Sequence, residues 1–249
     1  MSSRTNHVAR QNSFERVPSG IPGLDCMLQG GLPRNSITLL CGASGSGKTL
    51  FTLQYLYKGA IEHDEPGVYI SFSETPEAIY RHGKVFGWDL EGLAAKNKFA
   101  VIRYEPHEVV RIIEEGGGLI RDTVESLGAK RLVIDSLTAY ELLFDNDYKR
   151  NESILYLFEL LRKWGTTSLL TSESWVVPSA ITTGVVGDRI GFLTDGIIHL
   201  YYVRKGMGKV RALEVIKMRD TTHEAQLRQF ELVGAGLKVC KGAGALGRL

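Results

Sequence analysis

The chain has 249 residues, of which 43% are hydrophobic and 23% charged, as expected for a globular domain large enough to bury a sizeable core. Lysine and arginine number 30 against 28 for aspartate and glutamate, so the overall charge predicts no general attraction to nucleic acid or to an anionic membrane. The 3 cysteines lack metal-ligand spacing, and the lack of a secretory signal or of an apolar run of about 18 residues predicts a cytoplasmic protein with no membrane-spanning helix.

The sequence pattern divides the chain into a polar N-terminal arm at residues 1–13, an α/β domain at 14–239 and a glycine-rich tail at 240–249. Within the domain, short apolar runs alternate with amphipathic segments. This alternation is typical of βαβ units and predicts a mostly parallel sheet with helices on both faces. After residue 195 strand patterns follow one another without helices, which predicts antiparallel additions to one edge of the sheet.

The predicted elements follow from these patterns in chain order. Strands are predicted at residues 36–42, 67–72, 99–104, 131–135, 166–171, 195–203, 209–219 and 229–233. Helices are predicted at residues 48–62, 75–86, 119–128 and 151–164. Asn151 is predicted to cap the start of the last helix and Gly165 to end it, because asparagine accepts free backbone N–H groups and glycine adopts the left-handed conformation.

A P-loop pattern, GASGSGKT, occupies residues 42–49 between a predicted strand and a predicted helix. In this context the backbone N–H groups of the loop and the start of the helix would surround a phosphate, whereas the alternative is a glycine-rich turn that binds nothing. Lys48 would reach the β- and γ-phosphates of a nucleotide, and the Thr49 hydroxyl would hold Mg²⁺. The predicted ATP-binding stretch is Gly42, Ala43, Ser44, Gly45, Ser46, Gly47, Lys48, Thr49 and Leu50.

Asp135 is the predicted second ligand of the metal ion. It ends the apolar strand pattern RLVID, as the Walker B aspartate of a P-loop protein does. An aspartate in this position can also cap the following helix, and the sequence leaves both roles open. The P-loop upstream favours the metal role.

Several further stretches carry a resemblance: SGIPGLD, GGLP, FGWDL, VIDSLTAYE, LLTSE, TDGIIHLYYV and ALEVIKMRDTTHE. With the P-loop region they make residues 14–239 resemble a KaiC-type ATPase of the RecA superfamily. The resemblance implies a RecA-like P-loop NTPase fold, a twisted mostly parallel sheet flanked by helices with an antiparallel C-terminal edge. It also implies ATP and Mg²⁺ as ligands and a homo-oligomer, usually a hexameric ring, with ATP between neighbouring subunits. The single P-loop resembles one KaiC domain and not a tandem pair.

Glu74 is the predicted catalytic base. In the KaiC-type ATPases that the chain resembles, the strand after the P-loop helix ends in two adjacent glutamates before Thr-Pro. This chain has Ser73 at the first of these positions and Glu74 at the second. Parallel strands end at a common sheet edge, so Glu74 should lie beside the P-loop and Asp135. The alternative is that Glu74 only caps the helix that begins near Thr75. Because serine cannot accept a proton from water at neutral pH, slow hydrolysis is expected.

The stretch IKMRDTTH supplies residues that the resemblance places across a subunit interface. Lys217 and Arg219 alternate along a predicted strand, and they match the Lys-x-Arg motif whose cations reach the γ-phosphate held by the neighbouring subunit. Met218, Thr221 and His223 match further nucleotide contacts of the family. The alternative is a solvated strand face carrying ordinary ion pairs.

Three functions remain open from the sequence. The first is an ATP-driven ring that switches its contacts with a partner protein. The second is a recombination accessory factor, for which residues 174–190 predict only weak, salt-dependent binding to single-stranded DNA, since they contain one arginine, Arg189, and one aromatic residue, Trp175. The third is a nucleotide-stabilised scaffold that does not hydrolyse ATP. Autophosphorylation is not expected, because Gly191 and Phe192 replace the family's Ser-Thr pair.

Overall fold

The computed structural model describes residues 15–174, 190–205 and 208–240 of the chain. Its helices are α1 (Leu24–Met27), α2 (Lys48–Glu62), α3 (Pro76–Val85), α4 (Leu90–Ala95), α5 (Pro106–Glu114), α6 (Gly118–Leu127), α7 (Leu137–Glu141) and α8 (Asp147–Trp164). Its strands are β1 (Arg16–Val17), β2 (Leu32–Pro33), β3 (Ile37–Gly42), β4 (Gly67–Ser71), β5 (Phe99–Arg103), β6 (Arg131–Asp135), β7 (Thr167–Glu173), β8 (Gly196–Lys205), β9 (Gly208–Met218), β10 (Arg228–Val233) and β11 (Gly236–Val239). The predicted arm and nearly all of the predicted tail lie outside these residues.

The described strands form one large sheet in the order β11-β10-β9-β8-β3-β7-β6-β4-β5. The six strands from β8 to β5 are parallel to their neighbours, and β9, β10 and β11 add antiparallel strands at one edge. This arrangement confirms the predicted fold class. One detail differs, because β8 was expected among the antiparallel strands and instead pairs in parallel with β3. Hydrophobic periodicity reveals a strand but not its direction, so the sequence pattern alone could not distinguish the two arrangements.

Helix α8 begins earlier than its sequence pattern predicts. Asn146 caps it by accepting the backbone N–H groups of Tyr148 and Lys149 at 2.8 and 3.1 Å, so the predicted cap Asn151 is wrong and lies inside the helix. The first turn carries few apolar residues, which is why the hydrophobic pattern missed it. The predicted end is confirmed, because Gly165 adopts a left-handed conformation with φ of 65°.

Two apolar layers cover the sheet, one on each face. On one face the helices α2, α3 and α4 pack through side chains such as Phe51, Ile79 and Leu93. On the other face α5, α6, α7 and α8 pack through side chains such as Ile113 and Leu161. The central strands are buried on both faces, as expected for parallel strands in a three-layer α/β fold. Within the described part of the chain, no helix is long and apolar enough to cross a membrane.

The carboxyl ends of the central parallel strands lie side by side and form the carboxyl end of the sheet. Gly42 at the end of β3 lies opposite Glu173 at the end of β7, and Ser71 at the end of β4 lies opposite Asp135 at the end of β6. Residues that directly follow these strands are therefore brought together, although they are far apart in the sequence. In open α/β sheets, ligands bind outside the carboxyl ends of the strands.

Candidate functional site

A cleft of about 400 Å³ opens at the carboxyl end of the sheet. Its lining combines the P-loop, the start of α2 and the ends of three strands. The residues that line it are Ser44, Gly45, Gly47, Lys48, Thr49, Leu50, Ser73, Glu74, Asp135, Ser136 and Glu173. The structure thus brings together the P-loop, Asp135 and Glu74, which the sequence placed at three separate strand ends.

The P-loop turns tightly at its glycines. Gly47 has φ of 108°, a conformation that favours glycine, and α2 begins at the next residue. A Cβ atom on Gly42 would lie 2.6 Å from the Ser46 hydroxyl and 2.7 Å from the Leu200 carbonyl, so no larger residue fits there. The start of a 15-residue helix consequently faces the cleft with its free N–H groups and its positive dipole end.

Lys48 is held over the loop by its own backbone. Its Nζ atom donates to the carbonyl oxygens of Gly42 at 2.8 Å and Ala43 at 3.1 Å. Burial lowers the pKa of Lys48, while the nearby carboxylates of Glu173 and Asp135 act in the opposite direction. The side chain is thus a partly desolvated cation at the cleft, which is where a phosphate group would be bound most strongly.

Three hydroxyl groups orient the Asp135 carboxylate. Thr49 Oγ1 and the Tyr69 hydroxyl donate to Oδ2 at 3.0 and 2.5 Å, and Thr171 Oγ1 donates to Oδ1 at 2.6 Å. Burial and the Asp135 charge hold the pKa of Tyr69 well above its usual value, so its hydroxyl stays a proton donor. The helix-cap role that the sequence left open belongs to Ser136, whose hydroxyl accepts the Ala139 N–H at 3.3 Å.

Hydroxyl and carboxylate oxygens are the ligands that Mg²⁺ prefers. Thr49 and Asp135 supply one of each, 3.0 Å apart at the start of α2. This donor set therefore fits the metal ion that the sequence assigns to these two residues.

Glu74 follows β4 and lines the cleft beside Ser73. Its backbone N–H donates to Ser71 Oγ at 2.9 Å, and its carboxylate oxygen Oε2 lies 2.7 Å from His82 Nε2. The cap of α3 is Thr75, whose hydroxyl accepts the Ala78 N–H at 3.3 Å. The Glu74 carboxylate is therefore not engaged as a helix cap and remains at the cleft.

An apolar groove of about 380 Å³ continues from the cleft, with which it shares Thr49, Leu50 and Glu74. Its remaining lining residues are Leu53, His82, Val85, Phe86 and Leu232. A polar cleft joined to an apolar groove suits a ligand with a phosphate chain at one end and a flat apolar ring at the other.

A second group of predicted site residues lies at the opposite end of the strands from the P-loop. It consists of Lys217, Met218 and Arg219. Met218 pairs with Gly196, which pairs with Thr38 near the start of β3. The P-loop begins at Gly42, the other end of β3, about 13 Å from Thr38 at 3.3 Å per residue. The structure thus separates the predicted site residues into two groups within one subunit.

The contacts of this second group are with a neighbouring loop. Lys217 Nζ donates to the carbonyl oxygens of Gly191 and Thr194 at 3.0 and 2.6 Å, and Arg219 contacts Asp195 at 3.3 Å. Burial and the Arg219 charge lower the pKa of Lys217. Met218 is buried, whereas Thr221 accepts a hydrogen bond from Arg16 and His223 is half-buried. The residues 175–189, which carry the sequence argument about DNA, lie outside the described residues.

Comparisons with known proteins identify the family. The model of the KaiC ATPase family matches residues 17–243. The chain belongs to this KaiC family. A UPF0273 protein of Thermotoga maritima is 33% identical over 248 residues and is covered in full, since the match spans 94% of this chain and 100% of that protein. Membership identifies the chain as a nucleotide-binding ATPase domain of KaiC type.

Clock proteins are among the KaiC relatives. The circadian clock oscillator protein KaiC of Synechococcus elongatus is 31% identical over 245 residues, which are 96% of this chain and 46% of that protein. The chain therefore spans about half the length of the clock proteins that it matches. The crystal structure of a KaiC-like protein from Pyrococcus horikoshii has a TM-score of 0.77 and 33% identity, and the match covers 91% of this chain and 99% of that one.

Three residues of this KaiC domain, one that lines the cleft and two that support the P-loop, were not predicted from the sequence. Glu173 lines the cleft at the end of β7, and its position after the strand pattern TTSLLT was the signal that could have revealed it. The Tyr202 hydroxyl donates to the Gly45 carbonyl at 2.7 Å, and Arg211 donates to the Tyr202 hydroxyl at 2.8 Å. These last contacts join β8 and β9 to the P-loop, and no local motif announces them.

His199 is a buried, neutral histidine of the KaiC domain, in β8 next to Cys41 of the P-loop strand. Within the described part of the chain, neither of its ring nitrogens has a hydrogen-bond partner. Burial, and to a smaller degree the charge of Lys48, lowers its pKa from 6.5 to about 4. Protonating this side chain in the folded protein is therefore unfavourable.

This burial predicts a pH-dependent loss of stability. Between pH 6.5 and about 4, the unfolded chain binds a proton at His199 that the folded chain does not, so stability falls as the pH falls. We expect the wild type to lose up to about 3 kcal/mol more than His199→Leu over this range, from the shift in pKa. Urea unfolding of both proteins at pH 7 and pH 4.5 measures the difference. An equal loss in both proteins contradicts the prediction.

Proposed function

We propose that this chain is an ATPase whose active site is shared between subunits. The cleft of one subunit binds ATP, and Lys217 and Arg219 of the next subunit complete the site. One observation carries the proposal. The P-loop lies at one end of the strands of the sheet, and Lys217 and Arg219 lie at the other end of the same strands. Since one subunit cannot bring both to one γ-phosphate, a second copy of the chain must supply the missing half.

The cleft residues divide the work of holding ATP. The N–H groups of the P-loop and the start of α2 bind the phosphate oxygens, and Lys48 exchanges its contacts with the Gly42 and Ala43 carbonyls for the β- and γ-phosphates. Thr49 and Asp135 would hold Mg²⁺, which would supply positive charge against the charge that develops on the phosphate oxygens. The apolar groove between Leu50, Val85 and Leu232 receives the nucleoside.

Hydrolysis then requires a base for the attacking water. Glu74 accepts one proton of the water as the water oxygen forms a bond to the γ-phosphorus, and the bond from that phosphorus to the bridging oxygen breaks. ADP leaves with the electron pair of the broken bond, and the proton on Glu74 returns to solvent. Arg219 and Lys217 of the adjacent subunit stabilise the charge on the transferring group.

We further propose, from the family resemblance, that the oligomer is a closed ring, usually a hexamer, and that it acts in the cytoplasm. Nucleotide bound at each subunit contact links the ATP state to the geometry of the ring, which supports a role as a switch whose contacts with a partner protein change on hydrolysis. Turnover is proposed to be slow, because Ser73 at the cleft cannot act as a second carboxylate.

The position of Ser73 also favours a second candidate function. Ser73 is exposed at the cleft where the family resemblance places a glutamate. A site with one base in place of two could bind ATP and assemble without hydrolysing it, as a nucleotide-stabilised scaffold. Phosphate release at saturating ATP and Mg²⁺, measured together with mass in solution, separates the ATPase from the scaffold.

Lys48→Ala tests the nucleotide site directly. Loss of the ammonium removes charge-assisted contacts worth about 1.5–3 kcal/mol, so ATP affinity should fall by about 10- to 100-fold, although the loop N–H groups remain. Calorimetric titration with ATP and Mg²⁺ measures the change. Lys58→Ala is the matched control, because Lys58 lies on the same helix and pairs with Glu62 on its exposed side. Unchanged affinity in Lys48→Ala contradicts the P-loop assignment.

A further inference from the structure

We propose that His82 is a positioning residue for Glu74, and this inference rests on the proposed function of Glu74 as the base. His82 lies in the last turn of α3, and its Nε2 atom is 2.7 Å from Oε2 of Glu74. An ionised carboxylate only accepts hydrogen bonds, so the histidine nitrogen in this contact must carry the proton and donate. The helix therefore reaches back to the residue that precedes its own cap.

The contact fixes Glu74 at two points. The backbone N–H of Glu74 is bound to Ser71 Oγ at 2.9 Å, and one carboxylate oxygen is bound to His82. Within the described part of the chain, the other carboxylate oxygen, Oε1, makes no hydrogen bond and is free to accept one from water at the cleft. One oxygen is thus used for orientation and the other is left for chemistry.

The contact contributes little to folding. The side chains of His82 and Glu74 are 43% and 36% exposed, and ion pairs at such solvent-exposed positions contribute little to the stability of a protein. The helix start is already capped by Thr75, so α3 does not need this contact to form. An orienting role remains, since a catalytic group displaced by about 1 Å can lose about 10²-fold in rate.

His82 also lies where the apolar groove meets the cleft. It lines the groove with Val85, Phe86 and Leu232, while Glu74 lines both the groove and the cleft. A nucleoside in the groove would pack against the imidazole ring and restrict its rotation. His82 therefore connects occupation of the groove to the orientation of the carboxylate.

Three variants of α3 test the proposal, with kcat measured by phosphate release and ATP affinity by calorimetry. His82→Leu keeps an apolar surface in the groove but loses the donor, so kcat should fall by about 10- to 100-fold with ATP affinity within about threefold. His82→Gln retains an N–H donor and should recover kcat to within about threefold of wild type. Arg81→Gln controls for changes to the helix surface, because Arg81 is exposed at the neighbouring position and pairs with no residue in the described part of the chain.

The double variant Glu74→Gln/His82→Leu separates this inference from the proposed function. If His82 acts through Glu74, His82→Leu should cause no further loss of kcat once Glu74→Gln is present. Full additivity of the two losses, or wild-type turnover in His82→Leu while Glu74→Gln is impaired, overturns the positioning role alone. Wild-type turnover in Glu74→Gln overturns the proposed base and the positioning role with it.

Discussion

Arg219→Ala is expected to lower kcat by about 10³- to 10⁵-fold, the contribution of an arginine that reaches the transferring phosphate from a neighbouring subunit. ATP binding to the cleft should persist, because Arg219 lies at the opposite end of the strands from the P-loop. Arg162→Ala is the matched control. Arg162 contacts Asp195 at 3.1 Å, as Arg219 does at 3.3 Å, so its loss removes an ion pair to the same carboxylate without removing the catalytic cation.

Mixing two impaired variants tests whether Arg219 acts between subunits. A Lys48→Ala subunit lacks a working P-loop but carries Arg219, and an Arg219→Ala subunit has the reverse defect. When they are mixed, contacts that join the intact P-loop of one to the intact Arg219 of the other should regain turnover, which steady-state phosphate release measures. Full activity of Arg219→Ala as a monomer in solution is incompatible with a shared site.

Glu74→Gln is expected to reduce kcat by about 10²- to 10⁴-fold, the usual contribution of a positioned general base. The amide has the size of the carboxylate and can still hold a water molecule, but it cannot take the proton. ATP affinity and oligomer mass should stay near the wild-type values. If the wild type is clearly active and Glu74→Gln matches its rate, the base is another residue.

Ser73→Glu is expected to raise kcat above the wild-type rate. It restores the two adjacent carboxylates that the family resemblance implies, and like-charge repulsion raises the pKa of each, making the better-placed one a stronger base. Ser73→Gln matches the size of glutamate without its charge and is not expected to accelerate hydrolysis. Absence of phosphate release from both wild type and Ser73→Glu, with nucleotide still driving assembly, would establish the scaffold function.

The sequence predicted those parts of the site that depend on local pattern. The P-loop and Asp135 could be placed because a strand, a loop and a helix follow one another in the chain, and Glu74 could be placed because parallel strands end at a common edge. The direction of β8 and the cap at Asn146 could not be predicted, since periodicity reports neither strand direction nor polar first turns. The contacts of His82 with Glu74 and of Tyr202 with Gly45 depend on packing between separate segments.

In the proposed shared site, the P-loop and Arg219 lie at opposite ends of the strands of one sheet, and this placement has a consequence for assembly and regulation. A contact that joins the P-loop end of one subunit to the Arg219 end of the next is heterologous, because it uses two different surfaces. Such a contact produces either a closed ring or an open filament. A closed array of subunits completes every site, whereas an open array always leaves one cleft and one Arg219 unmatched at its ends. In the proposed shared site, activity per subunit therefore rises with concentration and with closure, and dilution alone is sufficient to switch the enzyme off.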